Sequence, residues 1–247
     1  MRYFILAVLL LCAAPAFADS TTFTYDQLED ALIYSSNDYN YGGYTYLRIS
    51  NNGTVYRRVL IRLTATWVYY VGDNQVIDSS ILHMYCYERG SGTGISDTFN
   101  IYGVLKSPCW VEGNGTGLAS DTDGVTWTDW NATGSEWGTA GCGSAADESA
   151  FNCGDGTGYD RQATASTRAM ITGTSAAPGW LTGRIPAAYM QAAYDSATAP
   201  SVLLMGNVGS YSYFYSTENA SYRPYIVVFH HTGETPPTPT GSRVMFH

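Results

Sequence analysis

Four of the six tryptophans, Trp110, Trp127, Trp130 and Trp137, lie close together in the chain, among short glycine-containing motifs. Trp110 opens Trp110-Val111-Glu112-Gly113, Trp127 closes Gly124-Val125-Thr126-Trp127, and Trp137 opens Trp137-Gly138-Thr139-Ala140-Gly141. An exposed indole stacks on the C–H face of a sugar ring while a neighbouring carboxylate accepts hydroxyl protons. Trp110, Glu112, Trp127, Trp130 and Trp137 are therefore the candidate ligand-binding residues, with carbohydrate as the ligand. The competing role for the same indoles is to plug the end of a β-sandwich, and for any one Trp taken singly that is the commoner use. Tyr34, Tyr39, Tyr41, Tyr44 and Tyr46 pose the same choice, in a Gly/Asn/Ser-rich setting that favours exposure.

Other chemistry is sparse. Glu112, Glu136, Asp147, Glu148 and Glu218 could supply the paired carboxylates of glycoside hydrolysis, but nothing in the sequence sets two of them at the required separation. Asp121-Thr122-Asp123-Gly124 resembles the start of a calcium loop without its closing acid, and an Asx turn accounts for it better. His83 lies in a strand-like run and His230-His231 end another, positions at which structural histidines outnumber catalytic ones. No nucleophile elbow, phosphate loop, zinc helix or dinucleotide fingerprint occurs. No catalytic residue, metal ligand or cofactor is assigned.

The first eighteen residues read as an export signal: Arg2 is followed by an apolar run from Phe4 to Cys12, and Ala16-Phe17-Ala18 suits cleavage after Ala18. No later segment approaches the roughly 20 apolar residues of a membrane-spanning helix. An exported location, secreted or at the cell surface, makes disulfides the expected state of Cys86, Cys109, Cys142 and Cys153. Three pairings are open. Cys142 and Cys153 bracket a loop-like stretch and suit a staple, which leaves Cys86 with Cys109; each closed loop would contribute roughly 2–4 kcal/mol. No CxxC or His/Cys cluster supports zinc instead.

Stepping outward to the whole chain, 247 residues carry 12 Lys+Arg against 21 Asp+Glu, and aromatics reach 14% while charged residues stay at 13%. That balance excludes a disordered tail and argues against nucleic acid as a partner. Short β-branched and aromatic runs predict strands at 44–49, 55–63, 66–71, 81–87, 98–105, 125–130, 202–205, 211–215 and 225–229, and Pro186–Tyr194 predicts the one helix. The fold expected is all-β: a single β-sandwich of jelly-roll type with one short helix, spanning 19–231. Residues 232–247 read as a Pro/Thr linker and short tail. Four sequons, at Asn52, Asn114, Asn131 and Asn219, suit loops.

The order Trp110–Gly113, Gly124–Trp127, Trp137–Gly141, then Phe214-Tyr215-Ser216-Thr217-Glu218 and Arg223-Pro224-Tyr225-Ile226-Val227-Val228, resembles the DNRLRE domains of secreted proteins. Asn40-Tyr41-Gly42-Gly43, Leu47-Arg48-Ile49, Arg57–Ile61 and Ile81–Tyr87 match the family's opening strands, so the resemblance covers nearly all of 28–230. It departs at Arg62-Leu63 and at 172–194. The resemblance implies a non-catalytic jelly-roll similar to carbohydrate-binding modules. Glu218 and Arg223 are expected to pair as a sheet-end fastener. The function expected is thus polysaccharide binding or cell-surface adhesion without catalysis. The alternatives are an appendage or matrix subunit that self-associates, or joins another extracellular protein, through 232–247, and a polysaccharide hydrolase or lyase using Glu112 or Glu218.

Overall fold

The computed structural model describes residues 18–89, 98–105, 110–119, 123–131, 134–143, 145–146, 160–162, 168–170 and 178–233. The elements run β1 Asp19–Phe23, β2 Leu28–Tyr34, β3 Tyr46–Asn51, β4 Tyr56–Leu63, α1 Trp67–Val71, β5 Gln75–Arg89 and β6 Thr98–Gly103. They continue with the short β7 Ala145–Ala146, β8 Arg161–Gln162 and β9 Arg168–Met170, then β10 Gly179–Ile185, α2 Ala187–Asp195, β11 Ser201–Gly206, β12 Tyr211–Tyr215 and β13 Tyr225–Thr232.

Among the described residues eleven strands join into one antiparallel sheet in the order β1-β13-β5-β12-β3-β4-β11-β6-β9. Strand β10 takes the other edge of β5, and β2 the other edge of β4. The sheet curls into the expected all-β, sandwich-like fold, its two layers joined edge to edge. Its main core lies between the layers. Leu47, Ile49, Val59, Ile61, Leu82, Met84, Phe214, Ile226 and Val228 meet there with Phe23, Trp67 and Met190.

Period-two alternation decides which residues enter that core. In β5, Leu82, Met84 and Cys86 are buried while His83, Tyr85 and Tyr87 face outward. A register shift against β13 between Phe229 and His230 changes the phase, so Ile77 also points inward. In β12, Ser212 and Phe214 point in and Tyr211, Tyr213 and Tyr215 point out. Strands β2 and β11 differ: Ala31, Leu32 and Ile33, and Val202, Leu203 and Leu204, are buried in succession. Consecutive burial means that both faces of these strands are covered.

Two of the expected strands do not form. Residues 67–71 are helical because Trp67 and Val71, four apart, both enter the core while Tyr69 and Tyr70 stay exposed. Gly72 ends that turn at φ 92°, donating its N–H to Val68 O. Residues 125–130 instead fold as linked turns, with Thr126 N–H bonded to Asp129 O at 2.8 Å and Asp129 N–H to Thr126 Oγ1 at 3.1 Å. The expected helix is present one residue later, with Pro186 as its N-cap, and buries Tyr189, Met190 and Ala193.

Cys86 and Cys142 are buried in two different core clusters, so they do not pair with each other. The Cys86 thiol lies 3.4 Å from Glu88 O, and that of Cys142 lies 3.6 Å from Asp160 O. Cys109 and Cys153 lie outside the described residues, as do the export signal through residue 17, the tail from 234, Asp121, Asp147 and Glu148. No disulfide is seen among the described residues.

Candidate functional site

The tryptophan segment forms a second core on the outer face of the β2–β4–β11–β6 layer. Trp110, Val125, Trp137 and Cys142 pack there on Ala31, Ile33, Leu60, Val104 and Leu203, with Trp127 and Trp130 half-buried around them. Trp110 is 0% exposed and Trp137 5%. Their N–H groups are satisfied internally, Trp110 by Ser201 Oγ at 2.6 Å and Trp137 by Thr126 O at 3.2 Å. Burial removes both from a surface platform, and the row of four sugar-stacking indoles does not exist. Trp127 stacks on Tyr56, ring centroids 6.3 Å apart at 13°, with the Arg58 guanidinium 4.9 Å from its centre.

The glycine-containing motifs let this cover lie close to the sandwich. A Cβ on Gly42 would stand 2.1 Å from Glu112 O, and one on Gly124 would stand 2.5 Å from the same atom. Asn40, fully buried, donates to Glu112 O at 2.6 Å and to Val125 O at 2.9 Å, and accepts from Gly42 and Gly115 N–H at 3.2 and 2.7 Å. One amide side chain thus spends its bonding capacity joining two loops.

Of a different aromatic surface, sequence reasoning pointed only to Tyr44 and Tyr46. On the outward face of β5, β12, β13, β3 and β10, rings contact one another in a continuous series. His83 stacks on Tyr225 at 4.2 Å, and Trp180 meets both Tyr225 and Tyr85, at 5.3 and 5.5 Å. Tyr85 stacks on Tyr222 at 4.2 Å, and Tyr215 lies 5.9 Å from Tyr85 and 4.5 Å from Tyr87. The series continues through Tyr213 to Tyr46 at 5.8 Å and then Tyr44 at 5.0 Å. Trp180 and Tyr222 are 44% and 43% exposed, and the tyrosines between them are half-buried. Burial first, then neighbouring tyrosines, raises the Tyr87 phenol above its usual range, so its tip is a neutral hydrogen-bonding group. The signal for this face was the Tyr-x-Tyr-x-Tyr of β12 opposite the His-x-Tyr-x-Tyr of β5.

At one end the series runs into a groove of about 180 Å³ lined by Tyr34, Tyr41, Tyr44, Tyr46, Arg48, Arg57 and Tyr213. Arg57 lies 3.7 Å from the Tyr34 ring centre and Arg48 4.1 Å from that of Tyr211. Burial and the nearby Arg48 lower the pKa of Arg57. Arg48 Nε is buried with no hydrogen-bond partner.

Glu112, expected beside the indoles, instead joins Asp30 and Glu218, and one carboxylate oxygen from each lies within 4.8 Å of the others. Asp30 N–H donates to Glu112 Oε1 at 2.7 Å, and Thr217 N–H donates to Asp30 Oδ2 at 2.7 Å. Burial, then Glu218 and Glu112, pushes Asp30 well above the usual carboxylate range. Burial also pushes Glu112 up to about 8, with Glu218 and Glu29 adding to the effect and the Asp30 N–H opposing it. The spacing is tighter than the roughly 5–5.5 Å of a retaining glycosidase pair. Arg223 does not fasten Glu218; it lies over Tyr25, 3.6 Å from the ring centre, and donates to Asn219 O.

The histidines of β13 are structural. His230 is buried between Gln75 Oε1 at 2.9 Å and Thr21 Oγ1 at 3.0 Å, while His231 meets Asp78 at 2.9 Å. No helix among the described residues is long and apolar enough to cross a membrane. No protein-family model matches the chain, and no curated protein is detectably similar to it.

Proposed function

We propose that this is an exported, non-catalytic β-sandwich of the DNRLRE type that binds polysaccharide on its tyrosine face. The observation that carries the reading is the continuous series of half-exposed rings from His83 and Tyr225 to Tyr44. Such rings offer flat apolar surface to sugar C–H faces, and their phenol tips hydrogen-bond to sugar hydroxyls. The strands beneath hold the rings in place, so little side-chain entropy remains to be lost on binding. The terminal groove is below the range of about 300–1,000 Å³ typical of drug-sized ligands and suits one sugar ring. Arg48 and Arg57 beside it favour a ring bearing a carboxylate or sulfate, because a guanidinium with an unmet N–H gains most from an anionic acceptor.

The test is a screen of the purified chain against neutral and acidic polysaccharides by affinity electrophoresis, with and without salt. Retardation by an acidic polysaccharide that weakens with salt is expected. Retention by none of them would remove the reading. Release of reducing ends or unsaturated sugars from a retained polysaccharide would replace it with the hydrolase or lyase alternative.

A further inference from the structure

From the arrangement of Asp30, Glu112 and Glu218 we infer that the chain carries a calcium site joining the tryptophan cover to the sandwich. Asp30 comes from β2, Glu112 from the cover and Glu218 from the turn after β12, so three separate segments bring carboxylates within 4.8 Å of one another. Asp30 is 0% exposed, and its Oδ1 has no hydrogen-bond partner among the described residues. Burying an ionised carboxylate oxygen with nothing to bind is costly, and a cation supplies the missing partner.

Among the described residues no protein cation fills the role. Arg62 acts on Glu112 at a distance, but its guanidinium bonds to the Glu29 carboxylate, with Nε–Oε2 at 2.8 Å, and to Trp110 O. None of the three carboxylates takes part in an ion pair among the described residues. The donor set is all oxygen, which selects a hard cation over zinc or copper. Three carboxylates, each able to bind through one or both oxygens, suit the six to eight ligands and flexible geometry of Ca²⁺; Mg²⁺ demands a near-ideal octahedron and keeps more water. Glu218 is exposed, so the site has an entry side and room for water ligands. None of the three carboxylates belongs to the tyrosine series, so calcium binding and polysaccharide binding are read by separate measurements.

The experiment is calorimetric titration of the chelator-stripped full chain with CaCl2 and with MgCl2, accompanied by thermal melts. One Ca²⁺ per chain is expected. Calcium at about a hundred times its Kd should raise Tm by about 5 °C or more. Glu218→Gln is exposed and leaves the core intact; it should weaken calcium binding about tenfold or more. Asp30→Asn keeps an acceptor for the Thr217 N–H and should abolish binding. Folding of both variants is verified by their near-ultraviolet circular dichroism. Absence of both heat and Tm shift in the wild-type chain would overturn the site, as would calcium binding unchanged in Glu218→Gln, or a preference for Mg²⁺. If calcium binds while no polysaccharide is retained, this inference stands and the functional reading alone falls.

Discussion

Two aromatic regions of this molecule have met opposite fates. The tryptophan segment lies over strands that are apolar on both faces; Ala31, Ile33, Leu60 and Leu203 lie beneath it, and Trp110 and Trp137 donate their N–H groups inward. The tyrosine face lies on stretches of strand that alternate between core and surface, and its rings pack chiefly on one another among the described residues. Aromatic density is therefore a poor guide to exposure. What separates the regions among the described residues is the approach of a second layer of chain, which Gly42, Gly124 and Asn40 permit on the tryptophan side.

The largest test of this contrast is Trp110→Ala. It empties a fully buried site and removes the indole N–H that Ser201 Oγ accepts, and should cost about 3–5 kcal/mol in urea unfolding. A loss below about 1 kcal/mol would mean the cover is not core. Asn40→Ala follows, at about 1–3 kcal/mol by the same measurement, because two backbone carbonyls and two N–H groups lose their shared partner. Tyr85→Ala removes ring contacts with Tyr222, Tyr215 and Trp180 but opens no internal cavity. Its stability loss should stay within about 0.5–1.5 kcal/mol, and a cost matching that of Trp110→Ala would erase the distinction between the faces.

The smallest effect is electrostatic. Burial lowers the pKa of His83 below 6.5, so the neutral imidazole is the form favoured by folding. Its contribution to stability is fully present above pH 6.5 and fades as the pH falls through the lower folded value. An NMR titration of the His83 ring should show a midpoint below 6.5. A midpoint above it would mean that burial does not govern the ionisation of this ring.

Much of the fold was legible because alternation is a local property. The β12 run Tyr211–Tyr215 was read with its observed bounds, and the β4, β11 and β13 runs within a few residues. The turn at Trp67–Val71 was misread because its composition is that of a strand. The signals against a strand were two core residues four apart and the following Gly72. The site was less legible. The motifs around Trp110, Gly124 and Asn40 were visible, but they serve close backbone crossing rather than ligand contact, and only the three-dimensional pairing of loops distinguishes these uses. Glu112 and Glu218 were named separately as candidate acids, whereas their convergence on Asp30 joins residues far apart in sequence. The tyrosine face was hidden for a related reason: Tyr85, Trp180 and the neighbouring Tyr215 and Tyr222 come from three distant segments, and each segment alone looks like an ordinary half-buried strand or turn.

The most direct measurement is the affinity of the double variant Tyr85→Ala/Tyr215→Ala for the polysaccharide that best retains the wild-type chain, compared with that of Trp127→Ala. A loss of about tenfold or more is expected for the tyrosine pair, since each 1.4 kcal/mol of lost contact is a factor of ten, and little change for the tryptophan variant. Unchanged binding by the tyrosine pair together with loss in Trp127→Ala would contradict that expectation and return the site to the tryptophan segment.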